Sequence, residues 1–188
     1  LGILIDNIDV GGGIGIQYSD ELPPTFSEYS KIVKNVLKGR NLKIIFEPGR
    51  ALIGKAGILL TKVEYVKNSS DKNFLIVNAA MNDLMRPALY EAFHEIVNLS
   101  PSNCDKKNYD IVGPVCETGD FIGKDRLMSA EENNILAVLD VGAYGMSMSS
   151  NYNSRPKIPE ILIDDNKFHL IRNRESFIDL INGEKLLP

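Results

Sequence analysis

Apolar and polar positions in the first forty residues follow first a strand-like and then a helical pattern. Residues 3–10 are mostly apolar and predict a buried strand, which is followed by the glycine-rich stretch 11–15. Thr25 and Glu28 form a capping-box pattern, in which a hydroxyl residue is followed three positions later by Glu. This pattern predicts a helix that ends near Gly39. Its apolar positions have helical spacing and are Phe26, Tyr29, Ile32, Val33, Val36 and Leu37.

A second short apolar segment follows this helix. Residues 42–46 are predicted to form a strand, and the sequence Glu-Pro-Gly-Arg at residues 47–50 is predicted to be the loop after it. A strand, a glycine loop, a helix and a strand in this order are typical of a βαβ unit, whose two strands are parallel.

The pattern changes near residues 52–57, and strand-like segments then dominate the chain. The predicted strands are 57–67, 73–80, 109–115, 135–141, 158–163 and 167–172. A helix is predicted to begin near Pro87, and a short last helix to cover residues 175–181. The apolar stripe of the first of these helices is Leu89, Phe93, Ile96 and Val97. We therefore predict an α/β segment at residues 1–55 and a mostly antiparallel β-domain at residues 56–188.

Length and charge narrow the class of protein. The 188-residue chain has 21 Lys and Arg against 25 Asp and Glu, so its net charge is −4. A mildly acidic chain gives no electrostatic reason to expect binding to nucleic acid or to an anionic membrane. No apolar run approaches the roughly 18 residues of a membrane-spanning helix. The chain begins at Leu1, inside the first predicted strand, and we therefore expect it to be a piece of a longer protein.

The two cysteines and two histidines do not form a metal-binding pattern. Cys104 and Cys116 have neither a CxxC nor a Cys/His zinc spacing, which favours two reduced thiols in a cytoplasmic protein. His94 and His169 have no ligand-like residues near them in the sequence, which favours structural or surface roles. We expect no metal site.

Two loops of the α/β segment contain residues that are candidates for ligand binding. The glycines of residues 11–15 let backbone N–H groups approach an anion such as phosphate, although a tight loop without a ligand has the same pattern. Glu47 can hold a heterocyclic nitrogen in its protonated form, and Arg50 can bind a carboxylate or phosphate in a bidentate manner. The alternative for Glu47 and Arg50 is an ordinary surface pair.

Three segments of the β-domain carry further candidates. Arg86 and Tyr90 are four residues apart, so they lie on one face of a helix and suit carboxylate recognition, unless they merely begin an exposed helix. Cys116 abuts Glu117 in a glycine-rich turn and is a candidate proton donor. Tyr144 lies between glycines after another strand, where it either supplies a hydroxyl to a ligand or packs in a turn.

Taken together and in order, these segments resemble the pyridoxal-phosphate (PLP) decarboxylases of the alanine-racemase-like barrel fold. The similarity runs from Ile8-Asp9-Val10-Gly11-Gly12-Gly13 to Ser154-Arg155-Pro156, nearly the whole chain. The block from Met81 to Tyr90, with the sequence MNDLMRPALY, is similar to the diaminopimelate decarboxylases rather than to the ornithine or arginine enzymes. The resemblance implies the C-terminal end of a PLP-binding (β/α)8 barrel, followed by the β-domain.

The resemblance also implies a reaction, which is the decarboxylation of meso-2,6-diaminopimelate to L-lysine and CO2, the last step of lysine biosynthesis. It implies that backbone N–H groups around Gly12 and Gly13 hold the PLP phosphate, with help from Gly49 and the Arg50 backbone. It further implies that Glu47 pairs with the pyridine nitrogen, which makes the ring an electron sink.

For the substrate, the resemblance implies that Arg50, Arg86 and Tyr90 bind carboxylate groups and that Tyr144 contacts both cofactor and substrate. Cys116 is implied as the proton donor to the carbon that loses CO2, and Glu117 as the residue that reads the distal amino group. In this family the last two residues serve the neighbouring subunit, so the resemblance implies a homodimer with shared active sites.

Two departures from the family pattern are visible. Position 78 is Asn78 where the family pattern has Asp, and no lysine occurs in the context of the family's Schiff-base lysine. The chain thus reads as a fragment that lacks the covalent anchor of the cofactor. Two alternatives remain open, namely a related PLP decarboxylase of another basic amino acid or carboxypolyamine, and a binding module without catalysis.

Overall fold

The computed structural model describes residues 4–187, and these residues form ten strands, four α-helices and three single-turn 3-10 helices. Leu1 and Ile3, where the sequence predicts the beginning of a strand, lie outside the described residues. The strands are β1 (Asn7–Asp9), β2 (Lys43–Ile45), β3 (Leu59–Asn68), β4 (Asn73–Val77), β5 (Ile96–Asn98), β6 (Lys107–Val112), β7 (Phe121–Met128), β8 (Ile135–Val138), β9 (Glu160–Asp164) and β10 (Lys167–Arg172). The helices are α1 (Phe26–Val36), α2 (Gly49–Ile53), α3 (Arg86–Tyr90) and α4 (Phe177–Leu180).

The α/β segment contains the predicted parallel unit. Strands β1 and β2 pair in parallel, and α1 lies between them in the chain. The capping box is also confirmed, since the Thr25 hydroxyl accepts the Glu28 backbone N–H at 3.2 Å and the Glu28 carboxylate accepts the Thr25 N–H at 2.8 Å. Tyr29 of this helix packs its ring edge on Phe46, with the centroids 5.9 Å apart.

Most strands of the β-domain form one six-stranded sheet in the order β5-β8-β3-β4-β6-β7. Every neighbouring pair is antiparallel except β4 and β6, so the predicted mostly antiparallel domain is confirmed. The apolar core lies on this sheet, and eight of its side chains have no exposed surface, namely Val63, Leu75, Val77, Leu84, Ile111, Ile122, Leu136 and Val138. A separate antiparallel hairpin consists of β9 and β10.

The helix predicted to begin near Pro87 and continue to Val97 is wrong beyond its first turn. Helix α3 ends at Tyr90, and Glu91 adopts a left-handed φ of +52°. Ile96 lies in β5, where it pairs with β8 and is only 8% exposed. Pairing with the sheet therefore overrides the helical spacing of these apolar residues.

Two further elements were not predicted. Strand β7 contains a Lys-Asp-Arg run at residues 124–126 that masks its apolar alternation, and it is held by pairing with β6. Helix α2 begins at Gly49, directly after Pro48, a dipeptide that indicates a loop when read without its surroundings.

The strand directions bring three segments that contain candidate functional residues to one end of the sheet. Strands β4 and β6 are parallel, and β8 runs in the same direction because both β8 and β4 are antiparallel to β3. The segments that follow these three strands therefore begin at the same end of the sheet. They are residues 78–90, 113–120 and 139–145. The beginning of β3 lies at the same end and connects it to α2.

Candidate functional site

The glycine-rich loop after β1 is seated directly on the loop after β2. Gly11 and Gly13 have φ values of +69° and +85°, a conformation that favours glycine. The Glu47 backbone N–H donates to the Gly11 carbonyl at 2.9 Å, and a Cβ on Gly12 would collide with the Glu47 carbonyl oxygen. The parallel pairing of β1 and β2 thus places the Glu47 backbone beside the glycine loop.

Tyr144 belongs to a segment that packs tightly on α2, the helix that carries Arg50. The Gly142 N–H donates to the Gly54 carbonyl at 3.0 Å, and a Cβ on Gly142 would collide with the Ile53 carbonyl oxygen. Tyr144 follows two residues later with a φ of +63° and is 46% exposed. A non-glycine residue in this conformation is strained, and such strain is typical of functional sites.

Arg86 is the most unusual candidate, because its charge is buried. It is 8% exposed, and within residues 4–187 no carboxylate lies within ion-pair distance of it. Its Nη1 atom lies 2.8 Å from Nε2 of His94, whose Nδ1 atom lies 2.9 Å from the Leu139 carbonyl oxygen. A buried cation without an anionic partner is costly, and an incoming carboxylate relieves that cost.

The chemistry of these contacts fixes the tautomer of His94. Arg86 has only donors, so Nε2 of His94 must accept, and Nδ1 must carry the hydrogen that it donates to Leu139. Burial lowers the pKa of His94, and the neighbouring Arg86 charge contributes in the same direction. His94 is therefore neutral and adds no charge to the site.

Two aromatic rings complete the surroundings of Arg86. Its guanidinium carbon lies 4.7 Å from the Tyr18 ring centroid and 6.0 Å from that of Tyr144. Tyr18 meets His94 edge-to-face at a centroid distance of 5.2 Å. The Tyr18 hydroxyl is buried and has no hydrogen-bond partner in the described part of the chain. Arg86 thus connects the α/β segment, through Tyr18, with the Tyr144 segment.

Tyr90 lies one helical turn beyond Arg86, as the spacing predicts, but its surroundings differ. Its side chain is 63% exposed at the end of α3, whereas Arg86 points into the protein. The interpretation of Arg86 as part of an exposed helix start is therefore wrong.

Cys116 and Glu117 are both exposed on the turn between β6 and β7. This turn is held by Asp120, which is 3% exposed and whose carboxylate accepts the backbone N–H groups of Val115 at 2.8 Å and Met81 at 2.6 Å. Burial raises the pKa of Asp120, while its two backbone hydrogen bonds act in the opposite direction. Asp120 thereby ties the turn of Cys116 to the segment that leads into Arg86.

Asn78, the position that departs from the family pattern, has a structural role. Its side-chain oxygen accepts the Thr61 hydroxyl at 2.8 Å and the Lys62 backbone N–H at 2.9 Å. Its own carbonyl accepts a guanidinium N–H of Arg155 at 2.7 Å. All three contacts use Asn78 as an acceptor, and Asn and Asp provide these acceptors equally well.

Four residues of this site carry no signal in the sequence that marks them as site residues. They are Tyr18, His94, Asp120 and Tyr152, whose hydroxyl donates to the Glu117 carboxylate. None belongs to a recognisable spacing, because each contacts a partner that is close in space through sheet pairing or loop packing. His169, the other histidine, is exposed on β10. Within the described residues no group of three acidic, His or Cys side chains is arranged to bind a metal.

The residues brought together fit a PLP cofactor and an anionic substrate. The glycine loop and the backbone of Glu47 are in contact, so the N–H groups that suit a phosphate and the carboxylate that suits a pyridine nitrogen belong to adjoining loops, as two contacts with one cofactor require. Arg86 has a buried charge and no carboxylate beside it in the described chain, an arrangement that suits an anionic ligand.

The fold and site define a class of protein, and the comparison with family models agrees. A model described as "Pyridoxal-dependent decarboxylase, C-terminal sheet domain" matches residues 8–142. The chain therefore belongs to the pyridoxal-dependent decarboxylases, in which that model describes the sheet domain. This result confirms the resemblance seen in the sequence.

Individual relatives that resemble the chain have more specific names than the family model. The chain is 53% identical over 188 residues to the diaminopimelate decarboxylase of Vibrio cholerae, which covers 100% of this chain and 45% of that protein. Two solved structures of diaminopimelate decarboxylases in complex with L-lysine are also similar. The M. jannaschii enzyme has a TM-score of 0.91 and 40% identity, covering 100% of this chain and 44% of that one. The Helicobacter pylori enzyme has a TM-score of 0.88 and 44% identity, covering 94% and 44%. The chain thus spans less than half the length of these relatives.

Proposed function

We propose that this chain is part of a diaminopimelate decarboxylase, which converts meso-2,6-diaminopimelate to L-lysine and CO2 with PLP as cofactor. The observation that carries the proposal is the buried guanidinium of Arg86, which lacks an anionic partner among residues 4–187 and faces the aromatic rings of Tyr18 and Tyr144. A dicarboxylate substrate supplies the missing charge. The names of the relatives support the same reaction, and L-lysine, its product, is bound in two of the similar structures.

The cofactor is assigned to the contact between the two loops of the α/β segment. Backbone N–H groups of Gly12 and Gly13, with those of Gly49 and Arg50, would hold the phosphate, and Glu47 would pair with the pyridine nitrogen. When bound, PLP supplies the protonated ring that takes up the electrons left by the departing CO2. Glu47 contributes by keeping a proton on that nitrogen, since a carboxylate favours a neighbouring positive charge.

The residues that we assign to substrate binding include both positively and negatively charged side chains. Arg50 and Arg86 attract carboxylates, and Tyr90 and Tyr144 add hydroxyl donors. Glu117 attracts the distal ammonium group. Diaminopimelate has two carboxylates and two ammonium groups, so this set of side chains is electrostatically complementary to it. An amino acid without the distal carboxylate would leave one guanidinium unpaired, which is the basis for rejecting it.

Cys116 is assigned to proton delivery, because its thiol is exposed on a turn whose backbone Asp120 holds in place. The thiol gives a proton to the carbon that has lost CO2. The exposure of Cys116 and Glu117 at the surface supports an arrangement in which both serve the site of a second subunit, so we include a homodimer with shared active sites in the proposal.

Three coarser assignments complete the proposal. Residues 1–55 belong to the last strands of a PLP-binding (β/α)8 barrel, and the parallel pairing of β1 and β2 supports this. Residues 56–188 form the C-terminal β-rich domain.

The free thiols of Cys104 and Cys116 support a reducing, cytoplasmic location. Within residues 4–187 no helix is both long and apolar enough to cross a membrane.

The test is CO2 release by the complete gene product that contains this chain, because the chain alone covers only 45% of its relatives. We expect release from meso-diaminopimelate with a kcat/KM at least about 100-fold above that for ornithine, arginine or carboxynorspermidine, since unpaired charges in the site penalise these substrates. A preference for one of those three would identify a related decarboxylase instead. No CO2 from any substrate, together with no PLP absorbance, would identify a binding module.

A further inference from the structure

Tyr152 lies beside the turn that carries Cys116 and Glu117, although 35 residues separate it from Glu117 in the chain. Its hydroxyl donates a hydrogen bond to Oε1 of Glu117. This is the only hydrogen bond that the Glu117 side chain forms within residues 4–187. The bond raises the pKa of Tyr152, and the nearby Cys116 adds to the effect, so the phenol remains a neutral donor.

The backbone around Tyr152 is fixed to the core rather than free. Asn82, which has no exposed surface, accepts the Ser150 N–H at 2.9 Å, and its side chain donates to the Ser150 carbonyl at 3.2 Å. On the other side of Tyr152, Nε of Arg155 donates to the Asn82 side-chain oxygen at 2.8 Å. One buried residue therefore holds both ends of the segment, and it lies four positions before Arg86.

The segment also stores backbone strain. Asn153 and Ser154, directly after Tyr152, have φ values of +60° and +54°, the left-handed region that non-glycine residues rarely adopt. Such conformations persist only where surrounding contacts enforce them, and they concentrate at functional sites. The contacts of Arg155 with Asn82 and with the Asn78 carbonyl enforce them here.

We infer that Tyr152 is a positioning residue that orients the Glu117 carboxylate toward the distal ammonium group of the substrate. The inference rests on the function proposed above, in which Glu117 reads that group. Glu117 is exposed on a turn, and a free Glu side chain distributes over many rotamers. A hydroxyl donor on Oε1 selects one of them and leaves Oε2 available. Unlike Lys or Arg, a phenol does this without cancelling the negative charge that the ammonium group requires.

The experiment compares Tyr152→Phe with the wild type in the complete gene product, with meso-diaminopimelate as substrate. Removing one hydroxyl should raise KM roughly 3- to 10-fold and change kcat by less than about 2-fold, which is the size expected for the net contribution of one solvent-accessible hydrogen bond. Tyr65→Phe is the matched control, since Tyr65 is 64% exposed on β3 and remote in sequence from the turn. It should leave KM unchanged. Thermal unfolding of both variants shows whether the fold is retained.

A second comparison separates positioning from a merely structural role. In a Glu117→Gln background, loss of the Tyr152 hydroxyl should have little further effect on KM, because the carboxylate that it orients is already absent. An unchanged KM in Tyr152→Phe, or an effect of equal size in both backgrounds, would overturn the inference while the active wild type still supports the proposed function. A wild type without activity on diaminopimelate would overturn both.

Discussion

Arg86 and His94 form a buried cation–imidazole pair in which Nη1 of Arg86 lies 2.8 Å from Nε2 of His94. The imidazole in turn donates to the Leu139 carbonyl, at the end of the strand that leads to Tyr144. His94 therefore orients Arg86 without neutralising it, so the guanidinium keeps its charge for a ligand. This relationship leads to three of the predictions below.

Replacing His94 by Ala should destabilise the protein. The change leaves a cavity and removes the acceptor of a buried guanidinium, so we expect the free energy of unfolding to fall by roughly 2–4 kcal/mol. Chemical denaturation of the complete gene product measures this change. His169→Ala is the matched control, since His169 is exposed on β10, and it should cost less than about 0.5 kcal/mol. Equal effects of the two substitutions would show that the contact with Arg86 contributes nothing.

The Arg86 guanidinium should matter most for substrate binding. Arg86→Ala removes a charge that faces a carboxylate, so we expect KM for meso-diaminopimelate to rise by roughly 10-fold or more. Arg86→Lys keeps the charge but loses the planar, bidentate geometry, and should recover only part of the affinity. Steady-state kinetics on both variants measures the effect. An unchanged KM in Arg86→Ala would show that the role assigned to Arg86 is wrong.

The stability of the protein should depend on pH through His94. Burial lowers the pKa of folded His94, with Arg86 and Arg126 acting in the same direction and Asp140 and the Leu139 carbonyl opposing them. The unfolded chain binds a proton at about pH 6.5, so below that pH the unfolded state holds more protons and stability falls. The loss continues until folded His94 is protonated as well.

Denaturation at pH 7.5 and pH 5.5 measures this dependence. The His94 contribution to the difference should reach up to about 1.4 kcal/mol, and it should disappear in His94→Gln, which retains an acceptor for Arg86. Burial raises the pKa of Asp83 and Asp120, so these groups act with the opposite sign at lower pH. They are common to both proteins and cancel in the comparison. An identical pH dependence in the wild type and His94→Gln would contradict the prediction.

The close contact of Gly12 with the Glu47 carbonyl predicts a steric effect at the cofactor site. Gly12→Ala inserts a methyl group where no space exists, so we expect a loss of roughly 1–3 kcal/mol in stability and weaker PLP binding. PLP binding is followed in the complete gene product by absorbance titration. Gly119→Ala serves as the control, because its Cβ would meet no atom within 4 Å in the described structure. It should titrate like the wild type.

The Asp120 carboxylate predicts an effect on the turn that carries Cys116. Asp120→Ala leaves the buried N–H groups of Val115 and Met81 without acceptors, so we expect a loss of roughly 2–4 kcal/mol in stability. Asp71→Ala, in an exposed turn, is the control and should cost less than about 0.5 kcal/mol. Where Asp120→Ala still folds, the rate of Cys116 alkylation should also change, because the turn loses its anchor.

Local sequence patterns predict the segments that converge on the site, but not the contacts between them. Local patterns identified the Thr25 capping box, the parallel unit and most strands, because short-range spacing encodes these features. The prediction of a helix through Val97 was wrong. Ile96 is apolar because it is buried in β5, which pairs with β8, and not because it lies on the apolar face of a helix. Apolar spacing over so short a segment does not distinguish the two.

By itself, the sequence determined which side chains carry charge, which turns need glycine and which family the chain resembles. Only the tertiary structure decided that Arg86 is buried against neutral His94, that Asp120 joins the turn of Cys116 to Met81, and that Tyr152 contacts Glu117. The physical reason is that burial and hydrogen bonding depend on which strands pair. The common direction of β4, β6 and β8 gathers residues that are distant in the chain at one end of the sheet.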